Sequence, residues 1–188
     1  MLTILGPAKT IDTKPHNITN RSTMPVHLQD AEILVRQLRR YSPAELEKLM
    51  KVSRKLADLN VERFARWKPD YTANGSQHAL LAFSGEVFNG LDARTLQEED
   101  LLFAQDHVRI LSGLYGILRP LDLMLPYRLE MGTRLENPRG RDLYAFWKEI
   151  IPGEISGLTE EKGSVLINLA SNEYFRSISP SGFQHRII

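Results

Sequence analysis

Residues 109–133 read RILSGLYGILRPLDLMLPYRLEMGT. The stretch holds three glycines, two prolines, two tyrosines and three arginines in 25 residues, with no low-complexity character. Val108 to Leu111 reads as a strand running into a turn at Gly113. Gly113 and Gly116 permit backbone geometries that a side chain forbids. Pro120 and Pro126 fix φ and stop regular structure. Arg109, Arg119 and Arg128 carry permanent planar cations. A rigid, kinked loop system bearing arginines suits an anionic ligand. The same arginines serve a set of tight turns equally well if they pair with nearby acids.

Outward from this stretch, charge is segregated although the net formal charge is only +1. Residues 86–106 hold six acids and one base, Arg94, whereas residues 109–141 hold six arginines and three acids. A near-neutral chain can thus present a basic face. With 188 residues, 42% hydrophobic and 25% charged, the chain fits one soluble domain with a proper core. It has no cysteine, which excludes disulfides, thiolate metal sites and cysteine nucleophiles. The opening Met1–Leu5 is too short for a signal peptide, and no apolar run approaches the ~18 residues of a spanning helix. A cytoplasmic setting without membrane association is expected. Nothing in the sequence specifies an oligomeric state.

Leu2 to Leu5 reads as a short buried strand, followed by a long loop over 6–25 rich in Thr, Asn and Pro. Leu28, Ala31, Leu34, Val35 and Leu38 share one face of a helix over 27–40. Ser42-Pro43-Ala44-Glu45 carries a helix start with a capping box. The helix after it, continuous or broken, runs to about Trp67, with Leu46, Leu49, Met50, Ser53, Leu56, Asn60 and Phe64 inward. Residues 67–77 read as turn, 78–83 (HALLAF) as a buried strand, and Thr95 as the cap of a helix ending near Asp106. Asp142 caps a helix over 143–150, 164–169 (SVLINL) is a strand, and Ser171 caps a last turn to Phe175. Strands interleaved with helices give an α/β or mixed α+β class in a single domain over 1–188.

The chemistry-bearing motifs are few. The five histidines show no metal-ligand spacing, and the acids of 86–106 read as solvated helix faces. Neither GxxxxGK[ST], GxGxxG nor GxSxG occurs, so no metal or cofactor is called for. Gly6-Pro7-Ala8-Lys9-Thr10 follows a strand and resembles a small anion-binding turn. Residues 111–116 (LSGLYG) compare with a helix-hairpin-helix, whose turn offers N–H groups to a phosphate, although its glycines usually stand two apart rather than three. Tyr127 to Glu130, if extended, puts Tyr127 and Leu129 on one face and Arg128 and Glu130 on the other. Asn172-Glu173-Tyr174 adds further acid/base-capable groups.

Taken in order, GPAKT (6–10), AFSGEVFNGLDA (82–93), LSGLYGILRPLDLMLPYRLEMGT (111–133), LYAFW (143–147) and INLASNEYF (167–175) resemble the YaaA-like peroxide stress resistance family. The resemblance implies a bacterial cytoplasmic protein that resists hydrogen peroxide by limiting iron-dependent damage. It implies an α/β fold around a positively charged cleft, with a helix-hairpin-helix-like element linked to double-stranded DNA and no firmly assigned reaction. By matching motif, Lys9 belongs to the opening block, and Ser112, Gly113, Tyr115, Gly116 and Arg119 to the central one. Tyr127, Arg128 and Glu130 belong to the PYRLE segment, and Asn172, Glu173 and Tyr174 to the last block. Gly6 stands where the family commonly has serine. The family also continues past this point, so a C-terminal segment is expected to be missing after Ile188.

Two functions follow as expectations. In the first, Arg109, Ser112, Gly113, Tyr115, Gly116, Arg119 and Arg128 contact the backbone of double-stranded DNA non-specifically. In the second, Lys9, Tyr127, Arg128, Glu130, Asn172 and Glu173 line a pocket for an anionic small molecule or nucleotide, as an enzyme would.

Overall fold

The N-terminal apolar run is the hub of the fold. In the computed structural model, which describes residues 1–16, 18–69, 75–178 and 183–188, Leu2–Leu5 forms strand β1 with Leu2 and Ile4 fully buried. The loop after it contributes a two-residue strand, β2 (Thr10–Ile11). Helix α1 (Leu28–Leu38) buries Ala31, Leu34, Val35 and Leu38, the face its periodicity indicates. Helix α2 (Pro43–Met50) opens on the Ser42–Glu45 capping box. Lys51 then ends it in the left-handed region, at φ 52°.

That break re-phases the next helix, α3 (Arg54–Arg66). Its buried face is Ala57, Asn60 and Phe64, while Ser53 is the cap and Leu56 lies outside. The expected inward stripe therefore misplaces Ser53 and Leu56. Asn60 is fully buried, and its amide Nδ2 donates to Leu56 O at 2.7 Å. The turn expected over 67–77 lies partly outside the described residues.

Residues 77–84 correct the strand expected from HALLAF. Strand β3 (Gln77–His78), one turn of helix α4 (Ala79–Ala82) and strand β4 (Phe83–Ser84) occupy it in turn. A run buried on every side carries no period, so strand and helix look alike in sequence. Here Ala79 N–H and Leu80 N–H donate to Asp122 O and Pro120 O, drawing the segment out of any ladder. Helix α5 (Glu86–Leu91) follows, then a 3₁₀ turn over Ala93–Thr95 and helix α6 (Glu98–His107). Thr95 does not cap α6. Its hydroxyl donates to Asp92 O, and Gln97 N–H donates to Asp100 Oδ2 at 3.0 Å instead.

The arginine-rich stretch forms strands β5 (Val108–Ser112) and β6 (Gly116–Leu118), then the short β7 (Leu123–Met124). Asp142 caps α7 (Leu143–Trp147), accepting from Ala145 N–H at 2.8 Å. Helix α8 (Ile150–Glu161) was illegible because Pro152, Gly153 and Gly157 read as loop. Pro152 sits in the first turn, where its missing donor costs nothing, and Ile151, Ile155 and Thr159 are buried at four-residue spacing. Strand β8 (Val165–Leu169), α9 (Asn172–Phe175), a 3₁₀ turn over Arg176–Ile178 and β9 (Arg186–Ile187) complete the described chain.

The main sheet has the order β6-β5-β1-β8-β9. β1 runs parallel to β5 (Leu5 opposite Ile110) and to β8 (Leu2 opposite Leu166); β8 and β9 are parallel, and β6 is antiparallel to β5. This is the α/β class, with an antiparallel edge. Trp67, Tyr115, Phe64, Phe146 and Trp147 fill the core. Aromatic side chains of this kind contribute about 4–6 kcal/mol each in gross transfer free energy. Among the described residues no helix is long and apolar enough to cross a membrane.

Candidate functional site

The sheet topology itself marks a place. The chain leaves β1 toward β5 on one side, and leaves β8 toward β9 on the other. In open α/β sheets the loops diverge at such a reversal and leave a crevice beyond the carboxyl ends of the strands. Here those ends are Leu5-Gly6-Pro7-Ala8-Lys9 and Leu169-Ala170-Ser171. Both loops line one cavity of about 460 Å³, within the ~300–1,000 Å³ usual for small-ligand sites.

A third wall comes from residues 125–130. They run as an extended strap with no ladder of their own, and Tyr127 and Leu129 are buried while Arg128 and Glu130 are half-buried. The alternation expected from sequence is therefore present. Arg128 Nη2 donates to Glu130 Oε1 at 2.5 Å, and Arg128 Nη1 donates to Lys9 O at 3.1 Å. Lys9 Nζ stands 3.6 Å from the other oxygen of Glu130. One carboxylate thus joins the first loop to the strap. Arg128 Nε is buried without a hydrogen-bond partner. Glu173 lines the cavity as well, its Oε1 accepting from Gly132 N–H at 2.7 Å. The wall carries two cations and two carboxylates. Ile11, Phe83, Val87 and Leu129 supply apolar surface.

The two tyrosines at this wall are held neutral. Burial pushes the Tyr127 hydroxyl well above its ordinary range, and its 2.6 Å contact with Ser112 Oγ opposes this only in part. Tyr174 is pushed up too, by burial and then by the carboxylate of Glu173. Neither is a base near neutral pH; each can only donate or hold a proton. Lys9, Tyr127, Arg128, Glu130 and Glu173 therefore meet at one site. Asn172 does not: it is exposed on α9 and outside the cavity lining.

The residues expected at a duplex are placed otherwise. Segment 111–116 is a β-hairpin between β5 and β6 with no helix on either side, a correction to the helix-hairpin-helix comparison. Ser112, Leu114 and Tyr115 have no exposed surface. Ser112 Oγ accepts from Tyr115 N–H, and Tyr115 OH accepts from Trp67 Nε1 and Leu125 N–H. Gly113 is there for packing, since a Cβ would stand 2.3 Å from Leu129 O of the strap. Gly116 has φ +71° and lies against Trp147, whose ring a Cβ would meet at 2.7 Å.

Arg109 is 6% exposed, and its Nη1 donates to Gln105 O and Val108 O, closing the end of α6. Arg119 donates through Nε and Nη2 to the fully buried Asp122 and through Nη2 to Met24 O. Two of the three arginines in the stretch thus fasten turns, and Arg128 lines the cavity.

Two contributions went unread in the sequence. Gly85 and Ala8 must both be small, because a Cβ on Gly85 would meet Ala8 Cβ at 3.0 Å, and this seats the first loop on α5. Lys48, Lys51 and Arg134 border a neighbouring hollow. The signal for the lysines was available as a basic run. Residues 36–68 hold ten Lys and Arg against four acids.

With this geometry in hand, the relatives are informative. The family model described as "Peroxide stress protein YaaA" matches residues 1–188. A curated protein of Tolumonas auensis, described as "UPF0246 protein", is 50% identical over 189 residues, spanning 100% of this chain and 73% of that protein. The chain belongs to the peroxide stress protein YaaA family.

Proposed function

We propose, from that membership, that this chain serves the peroxide response by binding a small organic anion in the crevice between the β1 and β8 loops. The observation that carries the reading is the convergence of Lys9, Arg128, Glu130 and Glu173 where the strand order reverses. An acid group on the ligand would take Arg128 and Lys9 from Glu130. Phe83, Val87 and Leu129 would enclose its apolar part. The released Glu130 and the neighbouring Glu173 are the groups fit for proton transfer, and the neutral tyrosines for donation. On this reading limitation of iron-dependent damage is an indirect result of the ligand's chemistry, and the setting is cytoplasmic.

A thermal-shift panel of nucleotides, sugar phosphates and dicarboxylates tests the proposal. A ligand at 100 times its Kd stabilises by about 2.7 kcal/mol, or about 5–11 °C for a chain this long. The shift should disappear in Arg128→Ala and Lys9→Ala. A flat response of the wild-type chain to the whole panel refutes the reading.

Binding of double-stranded DNA is the second reading, favoured by a different surface from the arginine-rich stretch. α2, the Lys51–Ser53 turn and α3 form a helical hairpin, and exposed Lys48, Lys51, Arg54 and Lys55 surround its turn. This pair, and not 111–116, is where a helix-hairpin-helix contact is proposed. Fluorescence anisotropy with a short duplex should show log affinity falling by roughly 0.9 per phosphate neutralised for each decade of salt. Lys51→Ala combined with Lys55→Ala should weaken binding and flatten that slope; an unchanged slope counts against this surface.

A further inference from the structure

The crevice has a neighbour. A second hollow of about 630 Å³ shares Glu130 and Glu173 with it and extends past Gly132 and Thr133 to Lys48, Lys51 and Arg134. These three cations come from two separate parts of the chain, the end of α2 and the segment after the strap. Among the described residues no ion pair neutralises any of them. The two shared carboxylates are engaged: Glu130 by Lys9 and Arg128, and Glu173 Oε1 by Gly132 N–H. Glu45, the acid on which Lys48 acts, is held by the Ser42 backbone and hydroxyl at the far end of α2.

We infer that this hollow is a subsite for the phosphate end of the ligand whose remainder fills the crevice, so that the ligand class is an organic phosphate or diphosphate. The inference rests on the crevice reading. Three cations exceed what a carboxylate needs and suit a group carrying two or more negative charges. Lysines act on phosphate as point charges, and Arg134 adds a planar fork that can hold two oxygens. The hollow is concave and of a size that admits a phosphate group. The two cavities meet at Glu130 and Glu173, so one molecule can span them.

Isothermal titration of the full chain with inorganic pyrophosphate tests the subsite by itself. Lys51→Ala/Arg134→Ala changes exposed side chains, and a melt of each variant verifies folding. Pyrophosphate should bind the wild-type chain and lose at least about tenfold in affinity in the double variant, more than it loses in Lys9→Ala. Absence of binding, or equal affinity in the double variant, overturns the subsite. If Lys9→Ala alone abolishes binding, the anion sits in the crevice; the crevice reading then stands and the subsite falls. A short duplex supplied as competitor separates the sources of phosphate. Displacement of pyrophosphate by duplex but not by a nucleoside diphosphate overturns the small-molecule assignment.

Discussion

Replacing Gly113 by alanine tests whether the central glycine exists for packing or for a phosphate. The added Cβ would lie 2.3 Å from Leu129 O, 3.1 Å from Leu129 C and 3.2 Å from Glu130 C, all backbone atoms. No rotamer relieves such a clash, so the hairpin and the strap must part by about an ångström, judged against ordinary carbon–oxygen contact. Overpacking of this kind costs ~1–3 kcal/mol. The same displacement strains the 3.0 Å hydrogen bond from Trp147 Nε1 to Gly113 O, worth ~1 kcal/mol. The expected loss is about 2–4 kcal/mol, or about 4–16 °C in Tm for a chain of this length. Urea denaturation followed by tryptophan fluorescence reads it directly, because Trp67 and Trp147 both belong to the affected network. A variant that loses less than about 0.5 kcal/mol refutes the packing argument. If that stable variant also lost duplex binding, the glycine would belong to a phosphate contact after all.

Gly6→Ser should fold with wild-type stability, within about 2 °C, because its Cβ meets Ala170 Cα and Ser171 N at an ordinary 3.7 Å; a larger drop in a thermal melt would show the turn to be tighter than its geometry. Alkaline pH should destabilise the protein through Tyr127 and Tyr174, whose hydroxyls burial pushes up in the folded state. Their contribution is complete below the unfolded tyrosine value of roughly 10 and falls above it, at up to ~1.4 kcal/mol per pH unit for each group. Urea unfolding at successive pH values above 9 should show that fall, and Tyr174→Phe should reduce its slope; an identical slope would remove Tyr174 from the account.

The elements that sequence made legible are those with a period or a cap. α1 declared its buried face, Ser42-Pro43 and Asp142 their helix starts, and 2–5 and, to within one residue, 164–169 their strands. What stayed hidden had its cause in tertiary structure. The fully buried 79–82 turn has no exposed side to give it a phase, and α8 was masked by the proline and glycines at its start. The crevice was legible in part because Lys9, Arg128 and Glu130 are charged residues in segments rich in turns. Arg109 and Arg119 look identical to Arg128 in sequence, since only the chain crossings around them tell a cation inside a turn from one lining a cavity. Lys48, Lys51 and Arg134 could not be grouped beforehand, because the hollow that joins them is made by chain crossings more than 80 residues apart.

Lys51 holds a backbone conformation that glycine adopts without penalty and a side chain does not. A left-handed lysine costs about 1 kcal/mol or more at that turn. Lys51→Gly would therefore be expected to make the helical hairpin sturdier while removing a charge from its rim. The hairpin is thus a point where robustness and recognition pull in opposite directions, and selecting variants for heat resistance alone would drift toward a tougher protein with a duller surface.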